Sequence, residues 1–143
     1  MNENIRSDNP LKKSSDGLYF ADLDIRWHNE ENGTQLFRIV KFRGKITDVN
    51  SYSLNQKFYK ILENNSEPVI ILDMSELSYI NSIGLAILHS LIFKIQENKA
   101  KIAIGGLHPF LKRILSLIEA IPDMKVFDSC DEAKKSFPWQ YHL

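Results

Sequence analysis

The feature that most constrains the fold of this chain is a short, uninterrupted apolar run near its centre. Residues 69–72 read Val-Ile-Ile-Leu between Pro68 and Asp73, and amphipathic helical patterns flank the run on both sides. A strand that is apolar on both faces is typical of a sheet that helices cover on both sides. The run therefore predicts the central strand of an α/β domain.

The segments around this run alternate between strand and helix patterns. Residues 24–28 and 36–42 predict two strands, and the Asn-Gly turn between them predicts an antiparallel hairpin. The later alternation favours a parallel or mixed sheet with helices packed on it. The remaining predicted segments are helices over 53–64, 82–98, 110–118 and 131–137, strands over 101–105 and 124–127, and a loop over 74–81.

Length, charge and cysteine content exclude several classes of protein. The 143 residues suit one domain, and eighteen Lys and Arg balance eighteen Asp and Glu. Because binding to nucleic acid needs a cationic surface, we expect no direct nucleic-acid partner. The single cysteine, Cys130, fits a reducing, cytoplasmic compartment and excludes a cysteine-rich zinc site. The uncharged segment 77–93 is short and interrupted by polar residues, so we expect no membrane insertion.

The sequence lacks the residue patterns of common catalytic and cofactor sites. Gly105-Gly106 does not extend to a glycine-rich nucleotide loop, and no P-loop pattern occurs. The four histidines have no metal-ligand spacing, and Cys130 has no base near it in the sequence. We therefore expect a protein that is not an enzyme and that holds neither a cofactor nor a metal.

One segment combines features that suit a regulatory site. A helix is predicted to begin near Asn81 and Ser82, at the carboxyl edge of the sheet. A phosphate on a hydroxyl there would face unpaired N–H groups and the positive end of the helix dipole. The simpler interpretation, which physics alone favours, is that Asn81 or Ser82 only caps the helix. Gly84 costs about 1 kcal/mol of helix stability relative to alanine, which indicates that a loop or a partner approaches the backbone closely.

These residues follow a recognisable order: a buried strand that ends in Asp73, a spacer over 77–80, and then Asn81-Ser82-Ile83-Gly84-Leu85. This order resembles the STAS domain family, specifically the bacterial anti-sigma-factor antagonists, in which Asp-Ser-Ser/Thr-Gly-Leu opens the helix. Residues 42–46 are also similar to the family's Gly-x-Leu turn after the hairpin. The resemblance covers residues 22–137.

The resemblance implies a single STAS-type α/β domain over 22–137, with a mixed central sheet that starts with a β-hairpin. Residues 1–21 would then form a polar N-terminal extension and residues 138–143 a C-terminal tail. In that tail, Trp139 and Tyr141 are expected to be surface anchors.

The resemblance also implies a partner-switching mechanism. The unphosphorylated domain would bind an anti-sigma factor that is also a serine kinase of the GHKL type, and would thereby release the sigma factor. Phosphorylation of the motif serine, here Ser82, would end binding, and a PP2C-type phosphatase would reverse it. The implied partner-binding residues are Thr47, Asp48, Tyr79, Asn81, Ser82, Ile83, Gly84 and Leu85.

Three positions depart from the family pattern and leave alternatives open. Asn81 replaces the acidic residue before the serine, Ile83 replaces the Ser/Thr after it, and the family's Asp after Gly-x-Leu falls on Thr47, with Asp48 next to it. Asn81 and Ile83 favour a STAS scaffold in a regulatory or lipid-transport complex, whose serine is never phosphorylated. A third alternative is a small-ligand or nucleotide sensor that uses the same helix N-terminus as an anion site.

Overall fold

The centre of the molecule is a mixed β-sheet, which we analysed in a computed structural model. The structure describes residues 15–63, 69–109, 111, 116 and 121–139. Within these residues, six strands lie side by side in sequence order. They are β1 (Ser15–Phe20), β2 (Leu23–Asn32), β3 (Gln35–Ile46), β4 (Val69–Ile80), β5 (Lys101–Gly105) and β6 (Lys125–Phe127).

The sheet has an antiparallel part and a parallel part. Strands β1, β2 and β3 pair antiparallel, whereas β3 to β6 pair in parallel. The turn between β2 and β3 contains Gly33 at a φ of 67°, as the Asn-Gly signal predicts. The apolar run 69–72 opens β4, between β3 and β5, and its last three residues are fully buried. The predicted mixed sheet that starts with a hairpin is therefore confirmed.

Helices connect the parallel strands and follow the last one. Helix α1 (Ser51–Lys57) continues into a 3₁₀ helix (Phe58–Leu62), so the helix predicted over 53–64 begins two residues earlier and tightens in its second half. Helix α2 (Ser82–Glu97) and helix α3 (Cys130–Lys135) match the predictions closely. The helix predicted over 110–118 lies almost wholly outside the described residues. None of the described helices is long and apolar enough to cross a membrane.

Two apolar cores lie on opposite faces of the sheet. On one face, side chains of α1 and α2 such as Leu54 and Leu91 pack against the inner residues of the strands. On the other face, Ala133 of α3 and the downstream Trp139 pack against Ile71 and its neighbours. Helices α2 and α3 are therefore separated by the sheet.

The segment predicted as a loop over 74–81 is instead the second half of β4. It pairs with the end of β3 through two register shifts, so that Gly44 pairs with Leu77 after the first and Ile46 pairs with Ile80 after the second. Leu77 and Ile80 are buried three residues apart, which differs from the two-residue period of a regular strand. The prediction was wrong because the polar residues between them are typical of a loop, whereas the pairing comes from a distant strand.

The sheet also includes six residues that the sequence analysis assigned to the N-terminal extension. Residues 15–20 form β1, which pairs with β2 through a two-residue turn at Ala21 and Asp22. Leu18 is 7% exposed and belongs to the larger core. The apolar stretch 18–21 shows no alternation and follows a long polar segment, and its place in the sheet depends on β2 as a partner.

Trp139 is buried, so the expectation that it anchors at the surface was wrong. It is 6% exposed, and its indole Nε1 donates a hydrogen bond to the Ala133 carbonyl oxygen at 2.9 Å. Its ring packs edge-on against Phe137, with 5.0 Å between centroids. A buried Trp whose N–H group is paired contributes a large apolar surface to a core. Tyr141 lies outside the described residues.

Candidate functional site

Helix α2 begins with an asparagine cap, as one of the two sequence interpretations predicts. Asn81 has extended backbone angles, and its Oδ1 accepts a hydrogen bond from the Gly84 backbone N–H at 2.9 Å. The Asn81 carbonyl oxygen accepts the first helical bond, from the Leu85 N–H at 2.8 Å. Asn81 therefore satisfies one of the donors that a helix start leaves unpaired. The cap is Asn81 and not Ser82.

Ser82 is the first helical residue, and its side chain is exposed. Among the described residues, its hydroxyl has no hydrogen-bond partner, and the first turn of α2 carries no acidic side chain. The serine next to the cap is thus left out of the capping interaction. An enzyme that modifies exposed hydroxyls can reach it without first breaking a hydrogen bond of the fold.

Gly84 is buried where the end of β3 passes close to the helix. A Cβ atom at this position would lie 2.1 Å from the Ile46 carbonyl oxygen and 2.6 Å from the Ile46 carbonyl carbon. The same carbonyl oxygen accepts a hydrogen bond from the Asn81 N–H at 3.3 Å. The close approach predicted from the helical glycine is therefore present, and a segment of the chain itself makes it.

The turn after β3 brings Thr47 and Asp48 to the helix start. The Asp48 Oδ1 accepts a hydrogen bond from the Asn81 Nδ2 at 3.1 Å. The Thr47 hydroxyl oxygen accepts from the Val49 N–H at 3.2 Å, and the Thr47 carbonyl oxygen accepts from the Ser51 N–H at 2.9 Å. The structure therefore joins two segments that lie more than thirty positions apart in sequence and that the sequence analysis assigned to one surface.

Large apolar side chains are exposed on the elements that border Ser82. Tyr79 and Ile83, both predicted site residues, are 45% and 51% exposed. Val49, directly after Asp48, is 63% exposed, and Tyr52 in α1 is 72% exposed. Leu85, by contrast, is half-buried and packs against the core.

The sequence analysis missed Tyr52 as a site residue. It assigned the turn over 47–50 to the contact surface but did not predict that Asn50 is buried. The neighbours of Asn50 in the sequence do not reveal that its side chain is only 1% exposed.

Asp73, where the buried run ends, lies in a second polar cluster. Its Oδ1 accepts hydrogen bonds from the N–H and the hydroxyl of Ser75, at 3.0 and 2.7 Å. Burial, together with the nearby Asp73 carboxylate, raises the pKa of the Cys130 thiol to about 12. This thiol therefore stays protonated near neutral pH and is not an activated nucleophile. Within the described residues, no group of His, Cys, Asp and Glu has the arrangement of a metal site.

Several solved structures share this fold. An anti-sigma factor antagonist from Mycobacterium paratuberculosis is 20% identical, with a TM-score of 0.59 over 78% of this chain and 92% of its own. An anti-sigma-factor antagonist (STAS) domain protein from Planctomyces limnophilus is 11% identical, with a TM-score of 0.59 over 77% and 96%. The Bacillus cell fate determinant SpoIIAA in its phosphorylated form is 13% identical, with a TM-score of 0.52 over 76% and 96%.

At these identities the likeness to the solved structures concerns the fold. A comparison with protein families is more direct, because the sequence model of the STAS domain matches residues 29–133, well over half of the chain. The match runs from β2 to α3 and includes the whole helix start at Asn81 and Ser82. The chain therefore belongs to the STAS domain family.

Proposed function

We propose that this protein is an anti-sigma-factor antagonist that acts by partner switching in the bacterial cytoplasm. Its unphosphorylated form binds an anti-sigma factor that is also a GHKL-type serine kinase, and the sigma factor is released. The kinase phosphorylates Ser82, the complex separates, and a PP2C-type phosphatase restores the binding form. The protein is the ligand and the substrate in this cycle and performs no catalysis itself.

The observation that carries this proposal is the division of roles between Asn81 and Ser82. Asn81 caps α2 through its bond to the Gly84 N–H, so Ser82 is exposed and its hydroxyl has no partner among the described residues. A serine that served as the cap would have to give up a bond worth about 1 kcal/mol before it could be phosphorylated. Ser82 therefore has the accessibility that a phosphoacceptor needs.

The charge around Ser82 supports a stable phosphorylated form. The first turn of α2 has no acidic side chain, and the helix N-terminus carries partial positive charge. A phosphate would add a charge of about −1.5 to −2 at neutral pH. The Asp48 carboxylate lies beside this helix start, where it accepts a hydrogen bond from the Asn81 amide. In the complex with the anti-sigma factor, burial would remove water from the phosphate and nearby negative charge would repel it. Phosphorylation would therefore weaken binding.

The exposed apolar residues Val49, Tyr52, Tyr79 and Ile83 support a protein partner. Aromatic residues are enriched in protein interfaces, and a serine beside them would lie within the contact area. A charge introduced there would have a large effect, since a loss of about 2.8 kcal/mol weakens binding roughly a hundredfold. Two of the structural relatives are anti-sigma-factor antagonists, and a third was solved in a phosphorylated form, which supports the same assignment.

The first experiment is a phosphopeptide analysis of the protein isolated from its own cells, together with identification of the proteins that copurify. We expect phosphate on Ser82 in part of the population and an anti-sigma factor with a kinase domain bound to the rest. If Ser82 is unmodified both during growth and under stress, and the protein has another stable partner, this result would contradict the switch. It would instead favour the STAS scaffold whose serine is never phosphorylated.

The second experiment measures the affinity of two Ser82 variants for the copurified partner. Ser82→Ala should bind as the wild type does, and Ser82→Asp should bind at least about a hundredfold more weakly because of the added charge. Ser136→Asp is the matched control, because Ser136 is an exposed serine just after α3, on the opposite face of the sheet. Equal affinities for the Ala and Asp variants at position 82 would contradict the proposal.

A further inference from the structure

Asn50 is a polar side chain that lies fully inside the fold, directly behind the site. It is 1% exposed, and both ends of its amide are paired. Its Nδ2 donates to the Ala21 carbonyl oxygen at 2.7 Å and to the Lys45 carbonyl oxygen at 2.9 Å. Its Oδ1 accepts from the Thr47 N–H at 3.1 Å. One side chain therefore joins two separate stretches of backbone, the β1–β2 turn and the segment that runs from the end of β3 into the turn after it.

The first of these stretches is the turn between β1 and β2, which is pressed against the end of β3. The Asp22 carbonyl oxygen accepts a hydrogen bond from the Lys45 N–H at 2.8 Å. A Cβ atom on Gly44 would lie 2.2 Å from the same oxygen, and Gly44 itself has a φ of 116°. The turn thus has a fixed position on β3, and the Asn50 amide bridges the two.

The second of these stretches leads to the helix start. Thr47, held by Asn50, is followed by Asp48, whose carboxylate accepts from the Asn81 amide at 3.1 Å. Asn81 in turn caps α2 through the Gly84 N–H at 2.9 Å. Hydrogen bonds on both sides of the backbone step from Thr47 to Asp48 therefore connect the β1–β2 turn, through Asn50, to the residue beside Ser82.

We propose that Asn50 is a positioning residue of the phosphoacceptor site, and that it couples the β1–β2 turn to the cap beside Ser82. Asn50 fixes the backbone at Thr47, which sets the position of Asp48 and holds Asn81 in its capping conformation. The functional part of this inference rests on the proposed function, whereas the coupling itself does not. Asparagine suits the role because it donates and accepts at once, which aspartate at neutral pH cannot do.

Truncation of Asn50 would also lower stability, since it leaves buried backbone groups unpaired. The test therefore needs a local measurement, and native-state amide hydrogen exchange provides one. The measured quantity is the exchange rate of the Gly84 amide divided by that of Ile71, a fully buried residue in the middle of the sheet. A variant that only lowers the free energy of global unfolding speeds exchange at Ile71 at least as much as at Gly84, so it cannot raise this ratio.

We expect the ratio to rise about tenfold or more in Asn50→Ala, because the cap that protects Gly84 loses its support. The matched control is Asn55→Ala in the same helix α1. The Asn55 side chain accepts a hydrogen bond from the Lys94 Nζ of α2 at 2.8 Å, and among the described residues it has no hydrogen bond to the turn after β3. The control should leave the ratio unchanged. An unchanged ratio in Asn50→Ala would overturn the proposal.

A second variant keeps the test decisive if Asn50→Ala does not fold. Asn50→Asp has the same shape and still accepts from Thr47, but it no longer donates to Ala21 and Lys45. If the β1–β2 turn is coupled to the site, this variant should speed exchange at both Lys45 and Gly84. Faster exchange at Lys45 alone would show that the turn is not coupled to the cap, and would overturn that part of the proposal.

The functional consequence is measured separately, with the anti-sigma factor that copurifies with the wild type. Asn50→Ala should lower the initial rate of Ser82 phosphorylation several-fold more than Asn55→Ala does. Equal rates in the two variants would overturn the positioning role. Absence of any phosphorylation of the wild type would instead contradict the proposed function, and the exchange ratio would still decide whether Asn50 supports the cap.

Discussion

Helices α2 and α3 begin with the same capping geometry, yet only α2 has a free hydroxyl in its first turn. In α2 the cap is Asn81, which accepts from the N–H three residues later, and in α3 the cap is Ser129, which accepts from the Glu132 N–H at 3.1 Å. The first helical residue is Ser82 in one helix and Cys130 in the other. The Ser129 hydroxyl thus accepts the capping hydrogen bond of α3, whereas the Ser82 hydroxyl has no hydrogen-bond partner among the described residues.

The third helical position accounts for a second difference. In α3 this position is Glu132, and together with Asp131 it places two carboxylates against the positive end of the helix. In α2 it is Gly84, where the Ile46 carbonyl oxygen leaves no room for a side chain. The N-terminus of α2 therefore keeps its partial positive charge without an acidic side chain of its own. The difference shows that a tertiary contact can exclude an acidic side chain from the third position of a helix.

The largest expected effect comes from Gly84→Ala, which would add a side chain at the third helical position of α2. The added methyl group would overlap the Ile46 carbonyl, so we expect the free energy of unfolding to fall by about 1–3 kcal/mol. Urea denaturation measures this change. The control is Gly33→Ala, which meets no atom within 4 Å but has a φ of 67°, and should cost about 1–2 kcal/mol from backbone strain alone. A stabilised Gly84→Ala protein would contradict the packing argument.

Removing the caps tests whether the two helix starts are equivalent. Asn81→Ala and Ser129→Ala should each lower the free energy of unfolding by about 1 kcal/mol. Asn81→Ala should lower the free energy of unfolding somewhat more than Ser129→Ala, because the Asn81 amide also donates a hydrogen bond to Asp48. Denaturation of the double variant Asn81→Ala with Asp48→Ala identifies the source of this extra loss. If the Asp48 bond supplies it, the two changes will be less than additive.

The anchoring of α3 should depend on pH. The Lys134 Nζ lies 2.6 Å from the Glu30 Oε1, and this hydrogen bond lowers the pKa of Glu30 and raises that of Lys134. The Glu30 contribution is therefore present above the ordinary glutamate range and is lost as pH falls through the lowered pKa. The Lys134 contribution is lost only as pH rises through its raised pKa.

Glu30→Gln tests this dependence in thermal unfolding experiments at a series of acidic pH values. The variant should be less stable than the wild type near neutral pH, by an amount typical of a partly exposed ion pair, and the difference should shrink as pH falls. Glu31→Gln, at the exposed neighbouring position, serves as the control. A difference that stays constant down to strongly acidic pH would mean that the Glu30 charge does not contribute.

The smallest expected effect is that of Ser82→Ala. Because its hydroxyl has no partner among the described residues, the free energy of unfolding should change by less than about 0.5 kcal/mol. Ser129→Ala is the internal reference, since its hydroxyl is the cap of α3. If Ser82→Ala lowers the free energy of unfolding as much as Ser129→Ala does, the Ser82 hydroxyl has a structural role. That result would contradict the difference drawn between the starts of α2 and α3.

Much of the fold could be predicted from local patterns. The buried run 69–72, the Asn-Gly hairpin and the apolar periodicity of α2 each specify an element through residues within one or two turns of each other. The start of α2 was also predicted, because capping depends on residues three positions apart. The candidate site residues on that helix came from the resemblance to the STAS family and not from the helix start alone.

The errors occurred where structure depends on distant partners. The second half of β4 and all of β1 are strands because β3 and β2 lie beside them, and their own sequences are irregular or short. Trp139 is buried because α3 and the sheet form a pocket of the right shape around its ring. Local propensity does not include these pairings, since the hydrogen bonds and the buried area come from residues elsewhere in the chain.

The sequence by itself determined that two candidate capping residues, Asn81 and Ser82, stand at the start of a helix and that a glycine follows at position 84. Only the tertiary structure decided which of the two candidate residues is the cap, and that Ile46 is the reason for Gly84. It also decided that Asn50, thirty-one positions before Asn81, supports the site from behind. The physical reason is that hydrogen bonding and close packing act through space, and the sequence records only neighbours along the chain.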